Sequence, residues 1–249
     1  GNTTYFGASG EYALADNGKL IMTIWDGGGV DTIDASNQSN RVVIDLRPGY
    51  FSSIGAVANN IAIALGVTGT GAQSAWIENA NGGAGNDTLT GNDIANVLNG
   101  GGGNDAMNGG GGNDILIGGG GTDSLNGDGG TGDEARYLDA GGSVTINLTD
   151  ATGASNAGDA LGDTYSGIEK FRLSGNDDTF IGSNTSGAYN WASGEGGNDA
   201  FTSGGAGTTN LFWGGAGNDT VTGSGGTTSS RMGIGNDTHT GGAGRDLMY

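Results

Sequence analysis

GGGGNDAMNGGGGNDILIGGGGTDSLN, residues 100–126, decides the fold. Three glycine clusters recur nine residues apart, and each ends in an aspartate: Asp105, Asp114 and Asp123. Two residues after each aspartate stands an apolar side chain: Met107, Leu116 or Leu125. The register continues upstream through GGAGNDTLT (82–90) and GNDIANVLN (91–99), giving five consecutive units of the form G-G-x-G-x-D-x-U-x, with U apolar. Six glycine-rich residues make a turn whose backbone can take positive φ. The remaining x-U-x is a three-residue strand, and by the two-residue strand period only U points inward. Two units then close one coil of eighteen residues. Stacked coils give two small parallel sheets, with Leu89, Met107 and Leu125 lining one and Leu98 and Leu116 the other. The expected fold class is all-β, a parallel β-roll of two stacked short-stranded sheets.

Composition narrows the alternatives. Of 249 residues 58 are glycine, yet there is one proline and no G-x-y period, which excludes collagen. A flexible linker is excluded because Leu, Ile, Val and Phe return at fixed offsets from the glycines. One apolar side chain per nine residues is a thin core. Burial at about 25 cal/mol per Å² barely offsets the entropy of ordering so much glycine. The formal net charge of −19, from 27 acidic residues against eight Lys and Arg, points to bound cations as the missing stabiliser. It also excludes nucleic acid and anionic membranes as partners. Calcium takes six to eight oxygens. Turns on one edge lie eighteen residues apart in sequence and side by side in space, so each pair offers carbonyls and two carboxylates. Asp87, Asp105 and Asp123 fall on one edge; Asn96, Asp114 and Asp133 fall on the other, with one residue slipped before Asp133. The isolated DGGGVD cluster, with Asp31, is a further candidate. Cysteine is absent, and no apolar run is long enough to span a bilayer; IAIALGV (61–67) reads as a buried strand.

The repeats fade after Asp133 and return near Leu173. Counting back from each aspartate gives units starting at Leu173, Gly182, Gly194, Gly204, Gly214, Gly223, Met232 and Gly241. One edge then carries Asp178, Asp199, Asp219 and Asp237, and the other Gly187, Thr209, Thr228 and Asp246. The expectation is that the first edge holds metal and the second mostly does not, being held by glycine and threonine hydrogen bonds. Phe180, Phe201 and Val221 would point inward from one edge, Tyr189 and Leu211 from the other. His239 falls at an inward position, as a frayed-end residue; Trp191 and Trp213 fall outside the inward set. VTINL (144–148) echoes VVIDL (42–46), and Glu169 precedes Asp178 by nine residues as Glu78 precedes Asp87. This suggests duplication of one module and two domains, 1–134 and 135–249, each an irregular β segment followed by a roll. Asp139, Asp150, Asp159 and Asp163 read as solvated turn residues, with one further calcium site as the alternative.

The nonapeptide resembles the calcium repeat of the RTX family of secreted bacterial proteins. The order IWDGGGVDTID, RVVIDL, FSSIG, IAIALGV, IENANGGAGND over Leu20–Gly121, with GNDIANVLNGGGGND, resembles the C-terminal β-roll domain of serralysin-type metalloproteases. TGTGAQSAW (68–76) stands as an insertion. The resemblance implies several calcium ions. Their carboxylate ligands would be the aspartates named above. Their carbonyl ligands would come from Gly82 and Ala84, Gly100 and Gly102, Gly109 and Gly111, and Gly118 and Gly120. It also implies export, folding on extracellular calcium, and location outside a bacterial cell or at its surface.

Catalysis is not expected. A serralysin zinc site needs H-E-x-x-H and a third histidine, and this chain has one histidine. No G-x-S-x-G stands in a strand–turn–helix context, and the glycine clusters carry no lysine to cradle phosphate. The expected function is a non-catalytic calcium-binding module that folds and stabilises a secreted protein. Two alternatives stand beside it: an extracellular structural subunit that self-associates through its rolls or binds another extracellular protein, and the C-terminal part of a serralysin-like metalloprotease.

Overall fold

The structure, a computed structural model, describes residues 2–6, 14–25, 28–64 and 76–249. The described residues are all-β apart from one 3₁₀ turn, Gly158–Ala160. The chain divides into two compact units, Gly1–Asp133 and Glu134–Tyr249.

In the first unit, Thr4–Phe6, Thr32–Asp34, Asn79–Asn81, Val97–Gly102 and Ile115–Gly120 pair in parallel in that order. A second parallel sheet runs Val43–Asp45, Thr88–Thr90, Ala106–Gly111, Ser124–Gly129. Met107 lies opposite Leu89 and Leu125, and Leu116 opposite Leu98, each at the one-coil offset. All five are buried, with Ile33, Ile44 and Ala80 extending the two rows. A small sheet of Met22–Ile24, Ile61–Ile63 and Phe51–Ser52 closes the irregular segment; Ile61, Ile63 and Ala64 of IAIALGV are buried, and its residues 65–67 lie outside the described residues. Most of the 68–76 insertion, along with Asp26 and Gly27 of the DGGGVD cluster, lies outside the described residues.

The strands of the regular repeats are longer than expected. Ala106–Gly111 and its three neighbours of this length run six residues, through the glycines. Gly119 pairs with Gly101, and Gly120 with Gly102. Gly119 shows why: its φ is +91°, and a Cβ there would strike the Gly101 carbonyl. Without side chains the turns of successive coils approach closely enough for the backbone ladder to continue.

In the second unit, Glu134–Arg136, Lys170–Arg172, Tyr189–Ser193, Thr209–Ala216, Thr227–Ile234 and Asp246–Met248 form one parallel sheet. Thr145–Asn147, Thr179–Ile181, Ala200–Thr202, Thr220–Thr222 and Thr238–Thr240 form the other. Phe180, Phe201 and Val221 are buried in a row, as expected. The facing row corrects the sequence reading: Ala192 and Phe212 point inward, whereas Tyr189 is 48% exposed and Leu211 is half-buried. Phe212 packs on Phe180 and stacks on Phe201, with ring centroids 5.8 and 5.1 Å apart. His239 does sit opposite Val221, but its Nδ1 meets the buried Ser230 hydroxyl at 2.7 Å, so it belongs to a polar pair.

The two units repeat each other in detail. Val43–Asp45 and Thr145–Asn147 each enter a sheet, and each makes an antiparallel bridge to its following loop, Val43 to Ser53 and Thr145 to Ala157. Among the linking aspartates, Asp163 is a correction: it is buried and accepts the Tyr137 hydroxyl at 2.7 Å. Asp150 is a turn residue as expected, and hydrogen bonds from Thr152 and Ser155 lower its pKa to about 2.

Candidate metal centres

The aspartates that close each turn form rows. The Asp87 N–H donates to Asp105 Oδ1 at 2.7 Å, and the Asp105 N–H to Asp123 Oδ1 at 2.8 Å. On the other edge the Asn96 N–H donates to Asp114 Oδ1 and the Asp114 N–H to Asp133 Oδ1, both at 2.8 Å, across the one-residue slip. In the second unit the row runs from Asp178 to Asp199 at 2.8 Å, Asp199 to Asp219 at 2.9 Å and Asp219 to Asp237 at 2.9 Å. Each long row begins on a valine: the N–H of Val42 donates to Asp87 Oδ1, and that of Val144 to Asp178 Oδ1, both at 2.7 Å.

The second carboxylate oxygen is where the sites differ. Asp87 Oδ2 accepts the Gly83 N–H at 2.6 Å, Asp178 Oδ2 the Ser174 N–H at 2.8 Å, and Asp246 Oδ2 the Gly242 N–H at 2.8 Å. The Oδ2 atoms of Asp105, Asp114, Asp199 and Asp219 are buried and accept no hydrogen bond. Each lies against the first glycine of its own unit, Gly100, Gly109, Gly194 or Gly214, where a Cβ would collide with it. The glycine is thus dictated by the carboxylate as well as by the turn.

Burial raises the pKa of Asp105 to about 7, with the neighbouring charges of Asp123 and Asp87 adding to the rise. Burial likewise raises Asp114 to about 6 and Asp199 to about 8, and it pushes Asp87, Asp123, Asp178 and Asp219 upward. Rows of buried carboxylates are costly unless a positive charge compensates them. The donors are all oxygen, which suits a hard cation such as calcium and not zinc. Among the described residues no three acidic or histidine side chains converge on one point. Each ion would therefore take carboxylates from adjacent coils and complete its shell with turn carbonyls.

The remaining candidates are placed as follows. Asp31 is buried; its Oδ1 accepts the Thr3 N–H and its own N–H donates to the Glu78 carboxylate at 2.7 Å. Asp133 is buried, and Asp237 and Asp246 are half-buried at the end of their rows. The glycines and Ala84 lie on the turns or the strand ends beside them, and the Gly120 carbonyl is engaged by the Gly103 N–H at 2.8 Å.

The sequence reading missed the residues on the second edge of the second unit. Strand pairing sets Asn190 opposite Asn210 and Asn210 opposite Thr228, with Asp246 next; Gly187 and Thr209 do not hold these positions. Asn190 Oδ1 accepts the Ser183 N–H at 2.9 Å, and its Nδ2 donates to Asn210 Oδ1 at 2.7 Å. Asn210 Oδ1 also accepts the Gly204 N–H at 3.0 Å, while its Nδ2 donates to Thr208 Oγ1 at 3.1 Å and the Thr227 carbonyl at 3.0 Å. The amide keeps the turn-closing acceptor of an aspartate and supplies donors to the neighbouring coil.

The family model of the peptidase M10 serralysin C-terminal region matches residues 7–246. The chain belongs to the serralysin C-terminal family. Over 86 residues it is 44% identical to metallopeptidase AprA of Pseudomonas marginalis, and 48% identical both to metalloprotease AprA of Pseudomonas entomophila and to serralysin of Photorhabdus luminescens. Each alignment covers 34% of this chain and 16% of the relative, so the chain spans only a small part of the length of these proteins. The match is to the serralysin C-terminal region, the non-catalytic part. Membership places it among secreted, extracellular proteins, and no helix among its described residues is long and apolar enough to cross a membrane.

Proposed function

We propose that this chain is a calcium-binding β-roll that folds and gains stability when a secreted bacterial protein meets extracellular calcium. The carrying observation is the row of buried aspartates at one-coil spacing, whose Oδ1 atoms are spent on the backbone while four Oδ2 atoms accept no hydrogen bond. Calcium, when bound, neutralises those carboxylates and crosslinks adjacent coils. Asp87, Asp105, Asp123, Asp114, Asp133, Asp178, Asp199, Asp219 and Asp237 are the proposed carboxylate ligands. Asp31 and Asp246 are the outlying ones, and carbonyls of the paired turns are further ligands. Before metal binds, a net charge of −19 opposes compaction; any ion that binds only the folded roll then stabilises it by mass action.

Asparagine at 190 and 210 supports a division of labour in the second unit. Its aspartate edge takes metal, and the Asn190–Asn210 stretch of the other is closed by amide hydrogen bonds. The duplicated strand, loop and roll support each unit as one module. The match to metalloproteases favours a companion reading, in which a serralysin-like protease carries this roll; a zinc motif in the same gene product would establish it. Calcium content by mass spectrometry under native conditions tests the site assignment. The variants Asp105→Asn and Asp199→Asn are each expected to lose bound calcium, whereas Asn190→Ala leaves the count unchanged. Unchanged content in both aspartate variants would refute the assignment.

A further inference from the structure

The outward face of the larger sheet in the second unit differs from the corresponding face of the first unit and from the opposite sheet of its own unit. Four of the chain's eight cations stand on it: Arg136, Lys170, Arg172 and Arg231. So do two of its four tryptophans, Trp191 and Trp213, whose ring centroids are 5.5 Å apart. Strand pairing sets Lys170 beside Trp191, and Trp213 beside Arg231, whose guanidinium lies 5.7 Å from the indole ring. Trp213 keeps 40% of its surface in solvent. The equivalent positions of the first unit are Thr4, Thr32, Asn79, Val97 and Ile115 in one row and Phe6, Asp34, Asn81, Asn99 and Ile117 in the other, with no cation, and the one aromatic ring among them, Phe6, is buried. The opposite sheet of the second unit presents Thr220, Thr222, Thr238 and Thr240.

Arg136 lies directly opposite Arg172, and like charges facing across strands are destabilising. Two carboxylates temper them among the described residues: Glu134 reaches Arg136 at 2.6 Å and Glu195 reaches Arg172 at 2.9 Å, each through Nε. The arginine side chains remain 23% and 38% exposed. A chain of net charge −19 thus gathers half its cations on one flat face and mixes indole rings among them.

We propose that this face binds an acidic polysaccharide bearing carboxylates on its sugar rings. Indole rings cover the apolar faces of sugars, and guanidinium groups bind carboxylates with directed hydrogen bonds. From Glu134–Arg136 to Thr227–Ile234 there are four inter-strand steps, about 19 Å at ~4.8 Å each, which accommodates several sugar units. Phosphate polymers of high charge density suit it poorly, since the rest of the molecule repels them. The proposal requires a folded second unit and does not depend on how many calcium ions hold it.

The test uses the full chain in millimolar calcium with a hyaluronan decasaccharide, and circular dichroism confirms that each variant is folded. Saturable quenching of tryptophan fluorescence is expected. Binding should weaken about tenfold in Trp213→Ala and in the double variant Lys170→Ala/Arg231→Ala, and also in high salt. Neutral chitohexaose should not bind. If Trp213→Ala does not fold, the double variant carries the test, because the Arg136–Glu134 and Arg172–Glu195 pairs remain. The proposal is overturned by absence of saturable binding, by undiminished binding in the charge variant, or by undiminished binding in a folded Trp213→Ala, which would mark simple ion exchange.

Discussion

At the residue scale, two substitutions separate shape from charge. Gly119 combines positive φ with a carbonyl in the space of its absent Cβ. Gly119→Ala should cost about 1–3 kcal/mol, measured by thermal unfolding in saturating calcium. Asn210→Asp would set an anion against the Thr227 carbonyl and Thr208 hydroxyl that now accept its amide hydrogens. It should destabilise the calcium-free protein, and in calcium it should cost about 1–3 kcal/mol unless the new carboxylate recruits an ion. A gain of one bound calcium with restored stability would show that the amide stands where a cation can.

At the scale of the elements, the aspartate rows predict how the calcium-free roll responds to pH. Burial holds the folded-state pKa of Asp105 at about 7, Asp114 at about 6 and Asp199 at about 8, above their unfolded values. A folded state with raised carboxyl pKa binds more protons than the unfolded one. The stability from these groups is therefore fully present below pH ~4 and is lost as pH rises through about 6 to 8. Circular dichroism in chelator should show β structure increasing on acidification from pH 8 toward pH 5, with saturating calcium removing most of that dependence. Loss of structure over that range would contradict the burial of these rows. The same elements show what a sequence can reveal. Five units in strict register place Leu89, Leu98, Met107, Leu116 and Leu125 correctly, because nothing but the repeat sets their positions. From residue 182 onward the turns vary in length, and counting by nine assigns Thr209 the place of Asn210. Buried Phe212 and the Asn190–Asn210 hydrogen bond set the true register. The signal was present as Asn190-Trp191-Ala192 and Asn210-Leu211-Phe212, in which asparagine replaces the aspartate of D-x-U.

At the scale of the whole molecule, the same thin core is built twice, and each copy has one buried apolar or aromatic row per sheet and acidic residues at its turns. Burial alone is a weak drive for such a chain, and its net charge of −19 opposes it. The cation is then part of the fold itself, in the way of small domains whose metal-binding free energy is their folding free energy. The far-UV circular dichroism spectrum of the full chain, taken in EGTA and then in millimolar calcium, tests this most directly. A largely unfolded spectrum in EGTA that converts to a β spectrum as calcium is added, with a large rise in Tm, is the predicted result. An unchanged β spectrum and Tm in EGTA would contradict the central claim.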